Sequence, residues 1–323
     1  MSQPRLTIER IEHASSVIDP VFLNSPQMAF TPLSDAVGSD LVLKIETLNP
    51  IRCFKGRGAD LTLADAAAGG FAGEIICASA GNFGQAIAYS GTKRGLATVV
   101  YVAENASPFK IERMRQLGAE VRLHGADFDT AKQEAKRVAA ESGARMIEDS
   151  KDVETAEGAG TIGLELVEGH PEPFDAIIVP LGNGAMINGI ATAIKARSPS
   201  TEVIAVQAEG APAMIQSLKS NSFVETDTID TIADGIAVRV PVQEALDDMQ
   251  GLVDDGLLVS DAEIIEAMRL IHSHAGLVAE PSGAIGVAAV ARYRERFAGK
   301  KLATVICGSN LTDKQMQLWL NHS

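Results

Sequence analysis

The stretch DAIIVPLGNGAMINGIA, which covers Asp175 to Ala191, decides the fold class. Its first part, Asp175–Pro180, is a short apolar run rich in β-branched residues, which is typical of a buried strand. A glycine-bearing turn follows, and a helical pattern begins near Ala185. A strand that passes through a short turn into a helix is the repeating unit of α/β proteins with parallel sheets.

The same alternation recurs along the chain. Further buried strands are predicted at Glu74–Ala78, Ala97–Ala103, Val203–Ala208 and Leu302–Cys307. Helical patterns are found at Ala59–Ala68, Phe128–Ser142, Asp261–Ala275 and Gly283–Phe297. This alternation predicts an α/β fold with parallel sheets and helices on both faces, in which ligands bind to loops at the carboxyl ends of the strands.

The composition limits the classes of function. With 323 residues, of which 46% are hydrophobic, the chain is long enough for two domains that share a cleft. The formal net charge of −14 argues against binding to nucleic acids or to anionic membranes. Three cysteines without CxxC spacing argue against a disulfide framework or a zinc site. Because no apolar leader or long apolar run is found, we expect a cytoplasmic protein.

Two loops after predicted strands are candidate anion sites. In LGNGAMING, which follows Pro180, small residues precede a helix whose N-terminal N–H groups and dipole favour an anion. The plain alternative is a strand-to-helix turn. A dinucleotide fingerprint is disfavoured, because Ile187 stands where G-x-G-x-x-G requires glycine. The loop SAGNFGQ suits a carboxylate, although helix capping by Ser79 or Asn82 is the simpler interpretation of that loop alone.

The segment NPIRCFKGRGA, Asn49–Ala59, gathers three basic residues around one phenylalanine. It is either a solvated basic turn or the site of a lysine that forms a Schiff base with a phosphate-bearing cofactor. In the second interpretation, Arg52 or Arg57 and burial beside Phe54 would disfavour a positive charge on Lys55 and so favour its reaction with a carbonyl group.

Together these segments resemble the fold-type II pyridoxal-phosphate (PLP) enzymes, and within them the serine/threonine dehydratase (threonine ammonia-lyase) and serine racemase group. NPIRCFKGRGA matches the family's N-P-x-x-S-F-K-x-R-G-A, and SAGNFGQ matches S-x-G-N-H-x-Q. PLGNGAMINGIA is similar to its phosphate loop, and TIADGIAV, AEPSGA and CGSN follow in the family's order. The resemblance extends from Asn49 to Asn310.

The resemblance implies a tryptophan synthase β-like fold with two open, twisted, mostly parallel sheets. It implies a large PLP-binding domain of residues 1–73 and 151–323, a small domain of residues 74–150, and a homodimer. The implied reaction is β-elimination from a β-hydroxy amino acid such as threonine or serine, which gives a 2-oxo acid and ammonia. No nucleic acid, membrane or metal partner is implied.

Residue roles follow from the same resemblance. Lys55 would be the catalytic residue that carries pyridoxal 5'-phosphate. The cofactor-binding residues would be Phe54, Lys55, Asn82, Gly182, Asn183, Gly184, Ala185, Met186, Gly235, Glu280 and Cys307. The substrate-binding residues would be Ser79, Ala80, Gly81, Asn82 and Phe83. Phe54 would lie against the pyridine ring, Asn82 would bond its 3′-oxygen, and Cys307 would face its nitrogen, where the family usually has serine.

Three departures from the family pattern narrow the function. Ala80 stands where racemases of the group have a serine, so racemisation is disfavoured. Ile215 stands where the divalent-metal site has an aspartate, so we expect no metal there. Phe83 replaces the usual histidine and favours a bulkier or more apolar substrate. Alternatives are a hydroxyaspartate or phenylserine dehydratase, a cysteine synthase-like β-replacing enzyme, a racemase, or a binding protein that keeps PLP without turnover.

Overall fold

The computed structural model describes residues 4–321. Its helices are α1 (Ile8–Val17), α2 (Thr31–Val37), α3 (Lys55–Ala68), α4 (Asn82–Lys93), α5 (Pro108–Gln116), α6 (Phe128–Ser142), α7 (Val153–Gly169), α8 (Ala185–Arg197), α9 (Ala213–Ser220), α10 (Gln243–Met249), α11 (Asp261–Ala275), α12 (Pro281–Arg292), α13 (Arg294–Phe297) and α14 (Asp313–Leu320). Its strands are β1 (Gln27–Ala29), β2 (Asp40–Ile45), β3 (Ile75–Ala78), β4 (Thr98–Val102), β5 (Glu120–Leu123), β6 (Arg145–Met146), β7 (Ala176–Pro180), β8 (Glu202–Ala208), β9 (Asp255–Val259) and β10 (Lys301–Ile306). Of the helices just given, none combines the length and apolar character that a membrane crossing needs.

Within residues 4–321 the strands form two sheets. The larger sheet has the order β1-β2-β10-β7-β8-β9, and β1 alone runs antiparallel to its neighbour. The smaller sheet has the order β5-β4-β3-β6 and is parallel throughout. Two mostly parallel sheets were expected, and this expectation is confirmed. The division into domains at residues 73/74 and 150/151 stays a prediction, because α3 residues such as Leu61 and Leu63 share a core with Ile75 and Cys77 of β3.

Both faces of the larger sheet are covered by helices. Leu41 and Leu43 of β2 pack in a core with α11 and α12, whereas Val42, between them, packs in a second core with α7 and α8. Since successive side chains of a strand point to opposite faces, a strand covered on both faces needs apolar residues at every position. This is why such strands read as continuous apolar runs.

The strands predicted from sequence are all present, with ends that differ by one residue at most. The structure has α6 and α11 with the predicted bounds, but α3 begins at Lys55 and not at Ala59. The helix predicted at Gly283–Phe297 begins earlier, at Pro281, and is divided by Tyr293 into α12 and α13. Proline suits the first helical position because it needs no N–H partner there.

Glycines bring α3, α7 and α8 unusually close together. A Cβ atom on Gly58 of α3 would lie 2.5 Å from the carbonyl oxygen of Thr155 in α7, and one on Gly189 of α8 would lie 2.0 Å from that of Ala156. Neither position has room for a larger residue. The three helices therefore approach backbone to backbone, since α3 and α8 pack against the same first turn of α7.

Arg57 of α3 is fully buried and binds two carboxylates. Its guanidinium donates to both oxygens of Glu46, at 2.8 Å each, and to both oxygens of Glu165, at 2.6 and 2.9 Å. Lys44, which is also fully buried, donates to Glu165. Burial raises the pKa of Glu165, but Arg57 and Lys44 more than offset this and lower the pKa below its ordinary value. Arg57 thus ties α3 to the end of β2 and to α7.

Arg57→Met should destabilise the protein by about 3–5 kcal/mol, because it leaves the buried carboxylate of Glu46 without its cation and that of Glu165 with Lys44 alone. Chemical denaturation monitored by circular dichroism measures this change in the free energy of unfolding. The matched control is Arg52→Met, which removes the same charge from an exposed side chain in the same segment and should change stability by less than about 0.5 kcal/mol. Equal effects of the two substitutions would contradict a structural role for Arg57.

Candidate active site

A cavity of about 370 Å³ lies beyond the carboxyl ends of β3, β6, β7 and β10. Its volume is within the range of small-molecule sites, roughly 300–1,000 Å³. Four helices, α3, α4, α8 and α12, begin at its wall, and none of them has a side-chain cap among the described residues. Uncapped N–H groups and four converging helix dipoles give the cavity a strong preference for anionic groups.

The residues predicted to form the site all line this one cavity. They are Phe54, Lys55, Ser79, Ala80, Gly81, Asn82, Phe83, Gly182, Asn183, Gly184, Ala185, Met186, Gly235, Glu280 and Cys307. Their individual roles stay predictions. Lining residues that were not predicted include Lys110, Asp149, Asp234, Ser282 and Asn310.

The segment before Lys55 is held in place by backbone hydrogen bonds. Asn49 Oδ1 accepts from the N–H groups of Ile51 and Cys53, at 3.1 and 3.4 Å, so that its side chain closes the turn. The backbone of Cys53 forms an isolated antiparallel β-bridge with that of Gly308, and the N–H of Phe54 donates to the carbonyl oxygen of Cys307 at 3.0 Å. The lysine segment is therefore attached to the end of β10.

Lys55 is the first residue of α3, and its ionic partner is Asp149. Its Nζ donates to Asp149 Oδ2 at 2.5 Å and lies 4.7 Å from the centre of the Phe54 ring. The ion pairs of this segment give no support to the expectation that neighbouring arginines disfavour a positive charge on Lys55. The charge of Arg57 is neutralised by its own carboxylates, and the side chain of Arg52 is exposed.

The turn between β7 and α8 has the features that a phosphate needs. Gly184 has φ +105°, a left-handed conformation that favours glycine, and it is the N-cap of α8, whose first N–H, that of Ala185, donates to Ser150 Oγ at 3.1 Å. Gly182 lies so near the 3₁₀ turn at Asp234–Ile236 that a Cβ atom would be 3.2 Å from the carbonyl oxygen of Gly235. Among the described residues, the buried Oγ of Ser282 on the cavity wall has no hydrogen-bond partner. These residues fit a phosphate-bearing cofactor.

The loop Ser79–Phe83 does not use its polar side chains to cap α4. The N-cap residue is Gly81, and it makes no side-chain capping bond. Ser79 Oγ accepts from the N–H of Gly81 at 3.2 Å, and the side chain of Asn82 binds residues across the cavity. The simple capping interpretation of Ser79 or Asn82 is therefore wrong, and the first turn of α4 remains available to a carboxylate. Phe83 is buried in the core under the loop.

Glu280 is the centre of a buried polar cluster. Its carboxylate accepts from Asn82 Nδ2 at 2.8 Å and from the N–H of Asn310 at 2.9 Å, and Asn310 Nδ2 donates to Asn82 Oδ1 at 2.9 Å. Burial, together with the charge of Asp234, raises the pKa of Glu280 to about 7 despite these hydrogen bonds. The carboxyl group therefore holds its proton at much higher pH than an ordinary glutamate does.

Cys307 follows β10 and is buried at the cavity wall. Its Sγ donates to the carbonyl oxygen of Ser282 at 3.4 Å, and burial raises the pKa of its thiol well above the ordinary value. The group is thus a neutral thiol at any physiological pH. A neutral thiol carries no negative charge that would favour a proton on a neighbouring pyridine nitrogen.

Asp149 was not predicted as a site residue because the strand before it is too short to be recognised in the sequence. It follows β6, which has only the residues Arg145–Met146, so no apolar run marked the loop as the end of a strand. Asp234, Ser282 and Asn310 lie inside the quoted segments TIADGIAV, AEPSGA and CGSN, whose other members were singled out. Lys110 lies on α5, which was not predicted at all.

Glu280→Gln should change how the stability of the cofactor-free protein depends on pH. The pKa of Glu280 is raised from 4.5 to about 7 on folding. The stability that the protonated carboxyl group gives to the folded protein is therefore fully present below about pH 4.5 and is lost as the pH rises through about 7. Wild type should therefore lose at most about 3 kcal/mol relative to Glu280→Gln over this interval. Urea unfolding at several pH values measures the difference, and the exposed-site variant Glu295→Gln should run parallel to wild type. Parallel curves for Glu280→Gln would contradict the raised pKa.

Comparison with known proteins agrees with this site. The chain is 35% identical over 306 residues to an L-threonine ammonia-lyase of Thermotoga maritima. The aligned region covers 95% of this chain and 76% of that protein. It is 33% identical to the biosynthetic L-threonine dehydratase of Pasteurella multocida over 92% of this chain, but spans only 58% of that longer protein. The structure of maize serine racemase superposes with a TM-score of 0.91 at 29% identity, covering 97% of this chain and 96% of that one.

The family model described as pyridoxal-phosphate dependent enzyme matches residues 18–308, which include all the strands from β1 to β10 and every residue predicted to form the site. The predicted fold-type II architecture and the resemblance to the threonine dehydratase and serine racemase group are confirmed. The chain belongs to the pyridoxal-phosphate dependent enzyme family, and pyridoxal phosphate is its cofactor.

Proposed function

We propose that the protein is a PLP-dependent ammonia-lyase that removes water and ammonia from a β-hydroxy amino acid such as threonine or serine. The product is a 2-oxo acid. The observation that carries this proposal is the presence, in one cavity, of the Lys55 amine and the uncapped glycine turn before α8. The likeness to threonine ammonia-lyases supports the reaction class.

The cofactor supplies an aldehyde that binds amines covalently and a ring that accepts electron density from the substrate. In our proposal Lys55 is the amine that holds it. Residues 182–186 would hold its phosphate through backbone N–H groups other than that of Ala185, which binds Ser150, and Asn82, Gly235, Glu280 and Cys307 would line its ring. Phe54, whose ring centre lies 4.7 Å from Lys55 Nζ, would lie against the cofactor ring.

The remaining residues hold the substrate and move its proton. The loop Ser79–Phe83 and the first turn of α4 bind the substrate carboxylate, which fixes the Cα–H bond within reach of Lys55. Lys55 Nζ, which is free once the amine of the substrate has taken its place, then takes the proton from Cα and passes it to the β-hydroxyl group, which leaves as water. Hydrolysis of the remaining C–N bond gives ammonia and the 2-oxo acid.

An ion pair crosses the mouth of the cavity. Lys110 Nζ, on α5, donates at 2.5 Å to Asp234 Oδ2, which lies in the 3₁₀ turn Asp234–Ile236. Phe128 lies on the same wall. This ion pair therefore joins α5 to the turn at Asp234–Ile236 across the cavity.

Racemisation remains the alternative that the maize structure raises. A racemase needs a group that returns a proton to the second face of Cα, and the methyl group of Ala80 has none to give. The β-replacing enzymes and the hydroxyaspartate or phenylserine dehydratases also remain alternatives, and they differ from our proposal in substrate.

Lys55→Ala should lower ammonia release from the preferred β-hydroxy amino acid by at least about a hundredfold, because the base that takes the Cα proton is lost. A coupled assay for ammonia and a 2-oxo-acid assay measure this. The control is Lys93→Ala, an exposed lysine on α4, which should keep wild-type activity. Ammonia release from Lys55→Ala at the wild-type rate would overturn the assignment.

Wild-type protein should release 2-oxo acid from L-threonine or L-serine and form no D-enantiomer, because Ala80 cannot donate a proton. Chiral chromatography of the amino acid that remains after partial turnover measures both results. A panel that adds hydroxyaspartate, phenylserine and O-acetylserine with a thiol separates the alternatives. Accumulation of the D-enantiomer faster than that of the oxo acid would favour the racemase.

We also propose that the protein is a homodimer and that it acts in the cytoplasm. The dimer is supported by the family resemblance, and exposed apolar side chains such as Leu48 and Leu318 offer surface for an interface. Sedimentation velocity tests the dimer, and cell fractionation tests the location. A monomer at micromolar concentration would contradict the first proposal.

A further inference from the structure

We propose that Asp149 is a positioning residue for Lys55. It directs the lysine side chain into the cavity and balances the positive charge that Nζ acquires with a proton. This inference deepens the proposed function and rests on it for its catalytic part, whereas the ion pair itself can be tested without turnover.

The geometry is that of a strong ion pair with limited access to water. Lys55 Nζ lies 2.5 Å from Asp149 Oδ2, and the exposed fractions of the two side chains are 17% and 13%. Charge-assisted hydrogen bonds of this length are roughly twice as strong as neutral ones. The other oxygen, Oδ1, is buried and has no hydrogen-bond partner within residues 4–321, so the contact with Lys55 is the bond that fixes this carboxylate.

The backbone that carries Asp149 is fixed on both sides. Ile147 donates its N–H to Ile76 of β3, and Glu148 donates its N–H to the side chain of Asp152. Ser150, with φ +68°, donates its N–H to Thr155 Oγ1 at 3.0 Å, and its own Oγ accepts from the N–H of Ala185 at 3.1 Å. Ser150 therefore attaches the backbone that carries Asp149 to the start of α8, beside the turn that is proposed to bind phosphate.

The charge distribution requires an acid at this place. Lys55 is the first residue of α3, where the helix dipole disfavours a cation. The other acids of the cavity are engaged elsewhere: Asp234 binds Lys110, and Glu280 binds Asn82 and Asn310. Asp149 is thus the carboxylate that offsets a charge on Lys55.

The proton balance shows what this carboxylate contributes to the reaction. When Lys55 acts as a base, an N–H bond forms at Nζ as the Cα–H bond breaks, and the electron pair of that bond stays with the substrate. The pair of Lys55 and Asp149 then changes from a net charge of −1 to zero. Proton uptake therefore neutralises charge at this pair, which lowers its cost in a partly buried site.

The ion pair can be tested by the reactivity of Lys55 in the full chain freed of cofactor. Trinitrobenzenesulfonate at neutral pH modifies neutral amines, and peptide mapping gives the rate at Lys55. Asp149→Asn should raise this rate by about tenfold, because the ion pair that holds Nζ at 2.5 Å is lost and the amine is free to meet the reagent. Asp234→Asn, which removes the same charge from the same cavity but from the partner of Lys110, should leave the rate at Lys55 within about twofold. A rate in Asp149→Asn within twofold of wild type, or an equal rise in Asp234→Asn, would overturn the proposal.

The catalytic part is tested by kinetics of the cofactor-loaded enzyme. Asp149→Asn should lower kcat by about tenfold or more and change KM by less than about threefold, because the carboxylate acts on the proton transfer and not on substrate binding. Asp149→Glu, which keeps the charge and covers the case in which the asparagine variant does not fold, should retain more activity than Asp149→Asn or Asp149→Ala. Asp149→Asn at the wild-type kcat, or Asp149→Glu with activity no higher than that of Asp149→Ala, would overturn it.

Failure of the proposed function would be recognised separately. If the cofactor were bound to another lysine, Lys55→Ala would retain it, while the modification rates at Lys55 would still report on the ion pair. If Lys55 carried the cofactor and Asp149→Asn changed neither the modification rate nor kcat, the proposed function would stand and this inference alone would fall.

Discussion

The arrangement of the site depends on the double ion pair of Arg57. This guanidinium joins Glu46, at the end of β2, to Glu165 of α7, in a region from which water is excluded. Because Lys55 lies only two residues before Arg57 on the same helix, the ion pair fixes where Lys55 enters the cavity. The close contacts at Gly58 and Gly189 act in the same direction, since they allow α3 and α8 to pack against the same first turn of α7. The basic segment thus holds one structural arginine, one exposed arginine and one lysine in the site.

The cavity combines this framework with four helix N-termini. Their dipoles favour anions, which suits a cofactor phosphate and a substrate carboxylate in a protein whose net charge is −14. The same field explains the pairing of Lys55 with Asp149, since a cation at a helix N-terminus needs an acid beside it. Glu280, by contrast, is deep enough for burial to dominate, so its pKa is raised to about 7.

The sequence predicted much of the fold and the place of the site, because both depend on local patterns. Strands that are apolar on both faces, such as β7 and β8, are visible as runs, and loops at their ends carry small and polar residues. Short or exposed strands, such as β5 and β6, leave no such run, and the loop with Asp149 was missed for this reason. The partner of Lys55 could not be predicted either, since Asp149 lies 94 positions away and their contact exists only after β6 has joined the smaller sheet.

The most direct test of the account is to reduce the native protein with borohydride and map the modified peptide by mass spectrometry. The account predicts that one coenzyme-derived mass increment is found on the peptide that contains Lys55, and that no other lysine peptide carries it. An increment on a different lysine, or a native protein that binds the coenzyme without any reducible bond to Lys55, would contradict it.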